Sequence, residues 1–193
     1  MLKLFKNKLL WLNAVWAGLI YIPTVVITSQ YGVYFFSEMY HRTQCQATML
    51  ITVLLMGWVV FSPIIVYLVT KTKYLDKLVS LLMLMMVINL IAMTFLSDKL
   101  IHHLTLTIFM FGVFSSVQVI VWQCFNQICD ISISGVGIAI TNMIITAVTE
   151  VGQLLSGMVL DISAGIKKIY HYNLLTYDSQ LVMLMFILFI ATG

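Results

Sequence analysis

LVSLLMLMMVINLIAMTFL, residues 78–96, runs for nineteen residues without a single charge. Wound as an α-helix it would be about 28 Å long at 1.5 Å per residue. A bilayer's hydrocarbon core is about 30 Å thick, so the stretch reads as a membrane crossing. Five further apolar blocks can be marked on either side of it, over residues 11–36, 47–69, 104–125, 137–160 and 181–193. The first is softly interrupted by Pro23 and by the polar patch Thr28-Ser29-Gln30. The last has only 13 residues, about 20 Å of helix, and is expected to be a crossing cut short.

Composition points the same way. Hydrophobic residues make up 62% of the chain, charged residues 9%, and the mean hydropathy is +1.05. A water-soluble domain carries about 25% charged residues, because its surface must be hydrated. At 9% the bilayer has to serve as solvent for most of this surface. The expected fold is an all-α polytopic membrane helix bundle forming one transmembrane domain. Basic residues orient it. With the N-terminus cytoplasmic, that side collects Lys3, Lys6, Lys8, Lys71, Lys73 and Lys77, against Arg42, Lys99, Lys167 and Lys168 opposite. Six against four favours the N-terminus inside. The apolar run from Leu9 to about Val26 is longer than a signal peptide's core and has no small-x-small cleavage site behind it, so it is read as a retained helix.

Several function classes lose their footing at once. The net charge of +3 is scattered, and no dense Lys or Arg run offers itself to nucleic acid. Cys45, Cys124 and Cys129 are an odd set, and the spacing of the last two is not that of a zinc or redox motif. His102 and His103 are adjacent, in an expected loop, and cannot give the i, i+4 pair of a helical zinc site. No Gly-rich phosphate loop, nucleophile elbow or pair of catalytic carboxylates is present. No enzyme, metal or cofactor is expected.

Polar residues inside the blocks carry the remaining information, because hydrocarbon forces each toward a partner or a water-filled cavity. In the fifth block Asn142, Thr146, Thr149, Glu150, Gln153 and Gly157 fall on one helical face. Ile140, Ile144, Val148, Val151 and Leu155 form an apolar face suited to lipid or a neighbouring helix. Glu150 lies near mid-block, where an ionised acid costs about 3 kcal/mol. Two uses fit it: a proton-coupling or substrate-binding group on an aqueous path, or a protonated acid bonded to the next helix. The fourth block adds Gln118, Trp122, Gln123 and Asn126, and the first adds Asn13, Tyr21, Thr24, Thr28 and Tyr31. These three faces either line a polar cavity or hold helices together at about 0.6 kcal/mol per contact.

Two long stretches resemble the major facilitator superfamily of membrane transporters. GWVVFSPIIVYLVTKTK, residues 57–73, is similar to the signature after the second or eighth helix, with Gly57, Trp58, Ser62, Pro63 and Lys71 matching. GVGIAITNMIITAVTEVGQLLSGMVLD, residues 135–161, resembles the eleventh helix of bacterial members through Thr141-Asn142-Met143, Gln153, Gly157 and Asp161. WLNAVWAGLIYIPTVVITSQYGVYFF, residues 11–36, is similar to the seventh, including Gly18, Pro23 and Gly32. The relatives brought to mind are bacterial permeases near the lysosomal dipeptide carrier and the sugar-phosphate carriers.

The resemblance implies the C-terminal six-helix half of a permease, helices seven to twelve, carrying a small organic solute by alternating access in a bacterial inner membrane. Tyr21, Thr28, Tyr31, Gln118, Gln123, Asn142, Glu150 and Gln153 would then be cavity residues, and Gly57, Ser62, Pro63 and Lys71 part of a gate. Membrane lipid surrounds such a half. Its protein partner is an N-terminal half from another chain or a second copy of itself, without which it should not transport. Departures temper this. Thr70 replaces the loop Asp, Val66 a Gly, Leu154 the Pro after Gln153, and Val148-Thr149 a Gly-rich pair. Glu150 stands where relatives carry a small residue. A non-transporting membrane remnant or scaffold is the alternative.

Overall fold

The computed structural model describes residues 7–71, 74–95, 101–129 and 134–170. Every element among them is helical. Helix α1 (Lys8–Val26) passes through a π-turn (Ile27–Tyr31) into α2 (Gly32–Met39), making a first rod. Helices α3 (Gln44–Lys71) and α4 (Leu75–Phe95) are the second and third rods. The fourth is α5 (Ile101–Ser115), a 3-10 turn (Ser116–Val119) and α6 (Ile120–Ile128); the fifth is α7 (Ser134–Tyr170).

Four stretches are long and apolar enough to cross a membrane: Lys8–Ser29, Gln44–Lys71, His103–Ile128 and Ser134–Ile162. Lys77–Met93 is a shorter apolar helix. The molecule is thus an all-helical bundle compatible with integral membrane placement. The expected helix over 181–193 lies outside the described residues. One expectation is corrected: His102 and His103 sit in the first turn of α5, not in a loop, because the apolar periodicity of the fourth block runs on through its N-terminal polar residues.

Helix ends follow ordinary capping chemistry. Asn7 Oδ1 accepts the Leu9 N–H at 3.1 Å and starts α1. Before α3, the Thr43 N–H donates to Gln46 Oε1 at 3.2 Å and the Gln46 N–H donates to Thr43 Oγ1 at 3.3 Å. This reciprocal box satisfies two donors that a helix start leaves over. It also lets the chain reverse within Tyr40–Thr43, where His41 adopts φ 49°.

The two irregular turns share a feature: two successive hydroxyls bonded back to the helix. Thr28 Oγ1 donates to the carbonyls of Thr24 (2.8 Å) and Val25 (3.2 Å), and Ser29 Oγ donates to Val25 O at 2.7 Å. Hydroxyls thus occupy carbonyls that the next turn's N–H groups would take, and such back-bonding bends helices. The turn widens, and Gly32 donates its N–H to Ile27 O five residues back. A Cβ on Gly32 would overlap that same carbonyl. In the fourth rod, Ser115 Oγ donates to Gly112 O at 2.9 Å and Ser116 Oγ to Val113 O at 2.6 Å. There the bonds reach three residues back, and the helix tightens into a 3-10 turn.

The rods alternate in direction, as short connections demand. Gly18 meets Val148 and Gly152 meets Ile22, so contact positions rise together and the first and fifth rods run parallel. Gly57 meets Phe109 and Val113, while Gln46 and Leu50 share a groove with Leu104 and Thr105; the second and fourth rods are likewise parallel. Asn13 Nδ2 donates to Val121 O at 3.1 Å, tying the start of the first rod to the end of the fourth. The Tyr40 hydroxyl donates to Met93 O, joining the far ends of the first and third. The first and fourth rods are central, with 56% and 61% of their apolar stretches buried, against 28% for both α3 and α7.

A larger apolar core gathers Phe35, Phe36, Leu54, Met86, Leu90 and Phe111. A smaller one joins Leu10, Ala14 and Ala17 to Val121, Phe125 and Ile144. Between water-depleted helices the association energy comes from close packing, and small residues permit it. The tightest approach is where α3 crosses α5. A Cβ on Gly57 would overlap Phe109 O, and one on Gly112 would overlap Leu54 O. Backbone cannot step aside as a side-chain tip can. Gly112→Val should therefore lower stability by about 3 kcal/mol or more, at the upper end of overpacking costs. Gly157→Ala, where an added Cβ meets nothing within 4 Å, should leave it unchanged or slightly raised. Unfolding of the detergent-solubilised chain by titrated SDS measures both.

Candidate functional site

Helix α7 presents the clearest candidate surface. Asn142, Thr146, Glu150 and Asp161 are exposed, with Gln153 and Gly157 half-buried between them. Steps of four, four, three, four and four keep all six on one side of a helix with 3.6 residues per turn. Glu150 lies two residues past the centre of Ser134–Ile162, about 3 Å along the axis. Among the described residues it forms neither a hydrogen bond nor an ion pair. The exposed apolar side chains Val151, Met158 and Ile162 lie roughly a third of a turn further round.

The predicted polar face is thereby divided. Thr149 turns inward, only 4% exposed, and donates to Thr146 O at 2.9 Å. Of the predicted apolar face, Ile140 and Ile144 are buried against the first and fourth rods, and Val148 packs on Gly18. Val151 and Leu155 are exposed. One face of α7 packs on protein; the other carries the polar stripe beside an apolar strip.

The first rod meets this stripe at its π-turn. Ser29 Oγ approaches Gln153 Oε1 at 3.5 Å, long for a hydrogen bond. Ser29 was visible only as part of a polar interruption; its register opposite Gln153 comes from the parallel packing of α1 on α7. Thr28 is half-buried and spends its hydroxyl on its own helix. Tyr31 is buried, its ring 5.6 Å from Phe35 and 6.1 Å from Tyr34. Tyr21 is half-buried.

The fourth rod contributes less. Gln118 is buried within the 3-10 turn, Gln123 is half-buried and Asn126 is exposed. Two grooves among the described residues have other walls. The larger groove, about 780 Å³, includes Asn13, Trp16, Val79 and Cys124 in its walls. A second, about 600 Å³, lies between the first and fifth rods and is wholly apolar, with Trp11, Val15, Leu19, Met143, Val151 and Leu155 among its walls. Neither contains a cavity candidate. Four buried polar atoms find no partner among the described residues: Thr24 Oγ1, Trp58 Nε1, Asn89 Oδ1 and Thr141 Oγ1; of these residues Asn89 is one that polarity along the sequence did not single out.

The four gate candidates all lie on α3. Gly57 is at the crossing with α5. Ser62 Oγ donates to Trp58 O at 2.6 Å, just before the exposed Pro63. Lys71 closes the helix with Nζ 5.9 Å from the centre of the Tyr67 ring. Each has a local structural role. Among the described residues no three His, Cys, Asp or Glu side chains converge as metal ligands would.

No known protein family matches the chain, and no match to it was found among curated proteins or among solved structures.

The Ser29–Gln153 contact is weak by geometry. A double-mutant cycle of Ser29→Ala and Gln153→Ala should give a coupling of at most about 0.6 kcal/mol, the typical value between membrane helices. SDS unfolding of the four proteins measures it; a coupling above about 1.7 kcal/mol would make the pair a structural staple instead.

Proposed function

We propose that this chain is one half of a membrane transporter of the major facilitator type, and that the polar stripe of α7 is part of the wall of its solute path. The stripe carries the reading. Asn142, Thr146 and Glu150 are exposed on a helix apolar enough to cross a bilayer. Leaving an ionised acid such as Glu150 in hydrocarbon would cost about 3 kcal/mol. Water or another protein surface must therefore cover this side. Burial agrees: α3 and α7 are the least covered of the four long apolar stretches, as expected of helices that face a partner half. Residues 57–71 and 135–161, from the stretches that resemble transporter helices, lie on these same two helices.

In this reading the N-terminus is cytoplasmic, the membrane is a bacterial inner membrane, and the solute is a small organic molecule. The complementary half is supplied by another chain or a second copy. Alone the chain does not transport, since one half holds only one wall of the path. A scaffold reading is favoured by a different observation. The hydroxyls of Thr28, Ser62, Ser115, Ser116, Thr149 and Ser156 all bond to carbonyls of their own helix, which is a packing role.

Thiol accessibility separates the two. With Cys45, Cys124 and Cys129 changed to Ser, single cysteines replace Thr146, Glu150, Val151 and Met158 in turn. A membrane-impermeant maleimide should label positions 146 and 150 in membrane vesicles at least tenfold faster than 151 and 158. Equal resistance at all four positions would sink the water-lined wall and leave packing as the role of the stripe.

A further inference from the structure

A feature outside the polar stripe lies at the end of the bundle that holds the N-terminus. The groove of about 780 Å³ opens between the starts of the first and third rods and the end of the fourth. Its size falls within the roughly 300–1,000 Å³ of pockets that hold small molecules. Leu12, Trp16, Leu19, Val79, Met83 and Ile120 give it apolar walls. The amide of Asn13, one of its few polar groups, is already spent on Val121 O. Leu9 and Leu12 on its rim are 62% and 65% exposed. In a bilayer such a groove faces acyl chains.

Its mouth is basic. Lys8 immediately precedes Leu9 on one wall, and Lys77 lies between Leu75 and Val79 on the other. Lys77 Nζ sits 5.0 Å from the centre of the Tyr74 ring, and Lys71 Nζ 5.9 Å from that of Tyr67. Tyr74 and Tyr67 are 67% and 62% exposed. Exposed tyrosines paired with lysines mark the level of the headgroups. By sequence this end collects Lys3, Lys6, Lys8, Lys71, Lys73 and Lys77 against Asp76 and Asp130. The apolar groove between the first and fifth rods has no such mouth.

We propose that the groove between the first, third and fourth rods seats an acyl chain of a membrane lipid with an anionic headgroup, its phosphate held by Lys8 and Lys77. An apolar slot selects a hydrocarbon chain. Lys8 and Lys77, next in the chain to residues of its walls, would select a negative headgroup over a zwitterionic one, because basic pockets between helices on this side of a membrane attract anionic lipid. The assignment depends on membrane placement alone and not on transport.

The test uses the full chain in nanodiscs made with phosphatidylglycerol or with phosphatidylcholine, followed by native mass spectrometry of retained lipid. Phosphatidylglycerol should stay bound at one per chain. Lys8→Gln with Lys77→Gln should reduce that retention at least fivefold, while Arg42→Gln, at the opposite end, should not. Val79→Trp should fill the groove and remove the lipid with the lysines intact and Tm unchanged. If phosphatidylglycerol is retained equally by Val79→Trp, the headgroup is held at the surface only and the acyl seat is overturned. If Val79→Trp lowers Tm while lipid retention is unaltered, protein fills the groove, and the proposal falls likewise. Absence of retained lipid in the parent chain overturns it directly.

Discussion

Where α3 crosses α5, Gly57 and Gly112 bring two backbones into contact with no side chain between them. In a bilayer lipid tails are as apolar as leucine, so helices gain little by hiding apolar surface and much by fitting closely. That crossing sets how near the second and fourth rods lie. It also fixes the depth of the core that holds Leu54, Phe111, Met86 and Leu90. A second small-residue approach, Gly18 on Val148 and Gly152 under Ile22, does the same for the first and fifth rods. Four of the five described rods form two parallel pairs, each drawn together at glycine; the central first and fourth rods join the pairs, and the third packs beside them.

The two central rods are also the two that leave regular α-helix. Both departures coincide with paired hydroxyls that bond back to carbonyls of their own helix: Thr28 and Ser29 at the π-turn, Ser115 and Ser116 at the 3-10 turn. In hydrocarbon no water is at hand to relieve a distorted turn, so the side chains that distort it must also satisfy it. The π-turn then sets the register at which Ser29 meets Gln153. Local backbone chemistry in α1 thus decides which part of the first rod meets the polar stripe of α7.

How much of the candidate site was legible follows from the same physics. Asn142, Thr146, Glu150 and Gln153 could be placed on one face of one helix because a period of 3.6 is a local property. Their exposure could not, since it depends on which side of α7 the first rod covers. Thr149 shows the limit. It neighbours Glu150 in sequence and fits the polar face within helical tolerance, yet Gly18 and Ile22 pack closely on the same side of α7 and it turns inward. Polarity left Tyr31 and Gln118 open to cavity or packing; a phenol ring is also a large apolar surface, and Tyr31 packs among Tyr34 and Phe35 while Gln118 is buried in the 3-10 turn.

Taken alone, the sequence determined that the chain is helical and that several of its helices are long and apolar enough to cross a membrane. Those follow from composition and from runs of apolar residues about as long as a bilayer is thick. It also marked Gly18 and Gly57, without saying what they meet. Tertiary structure decided the partners: first rod with fifth, second with fourth, and a divergence between first and third that opens the groove under Lys8 and Lys77. Pairing of helices distant in sequence is a matter of surface shape, set by which small residues coincide at a crossing. No period along a single helix records that.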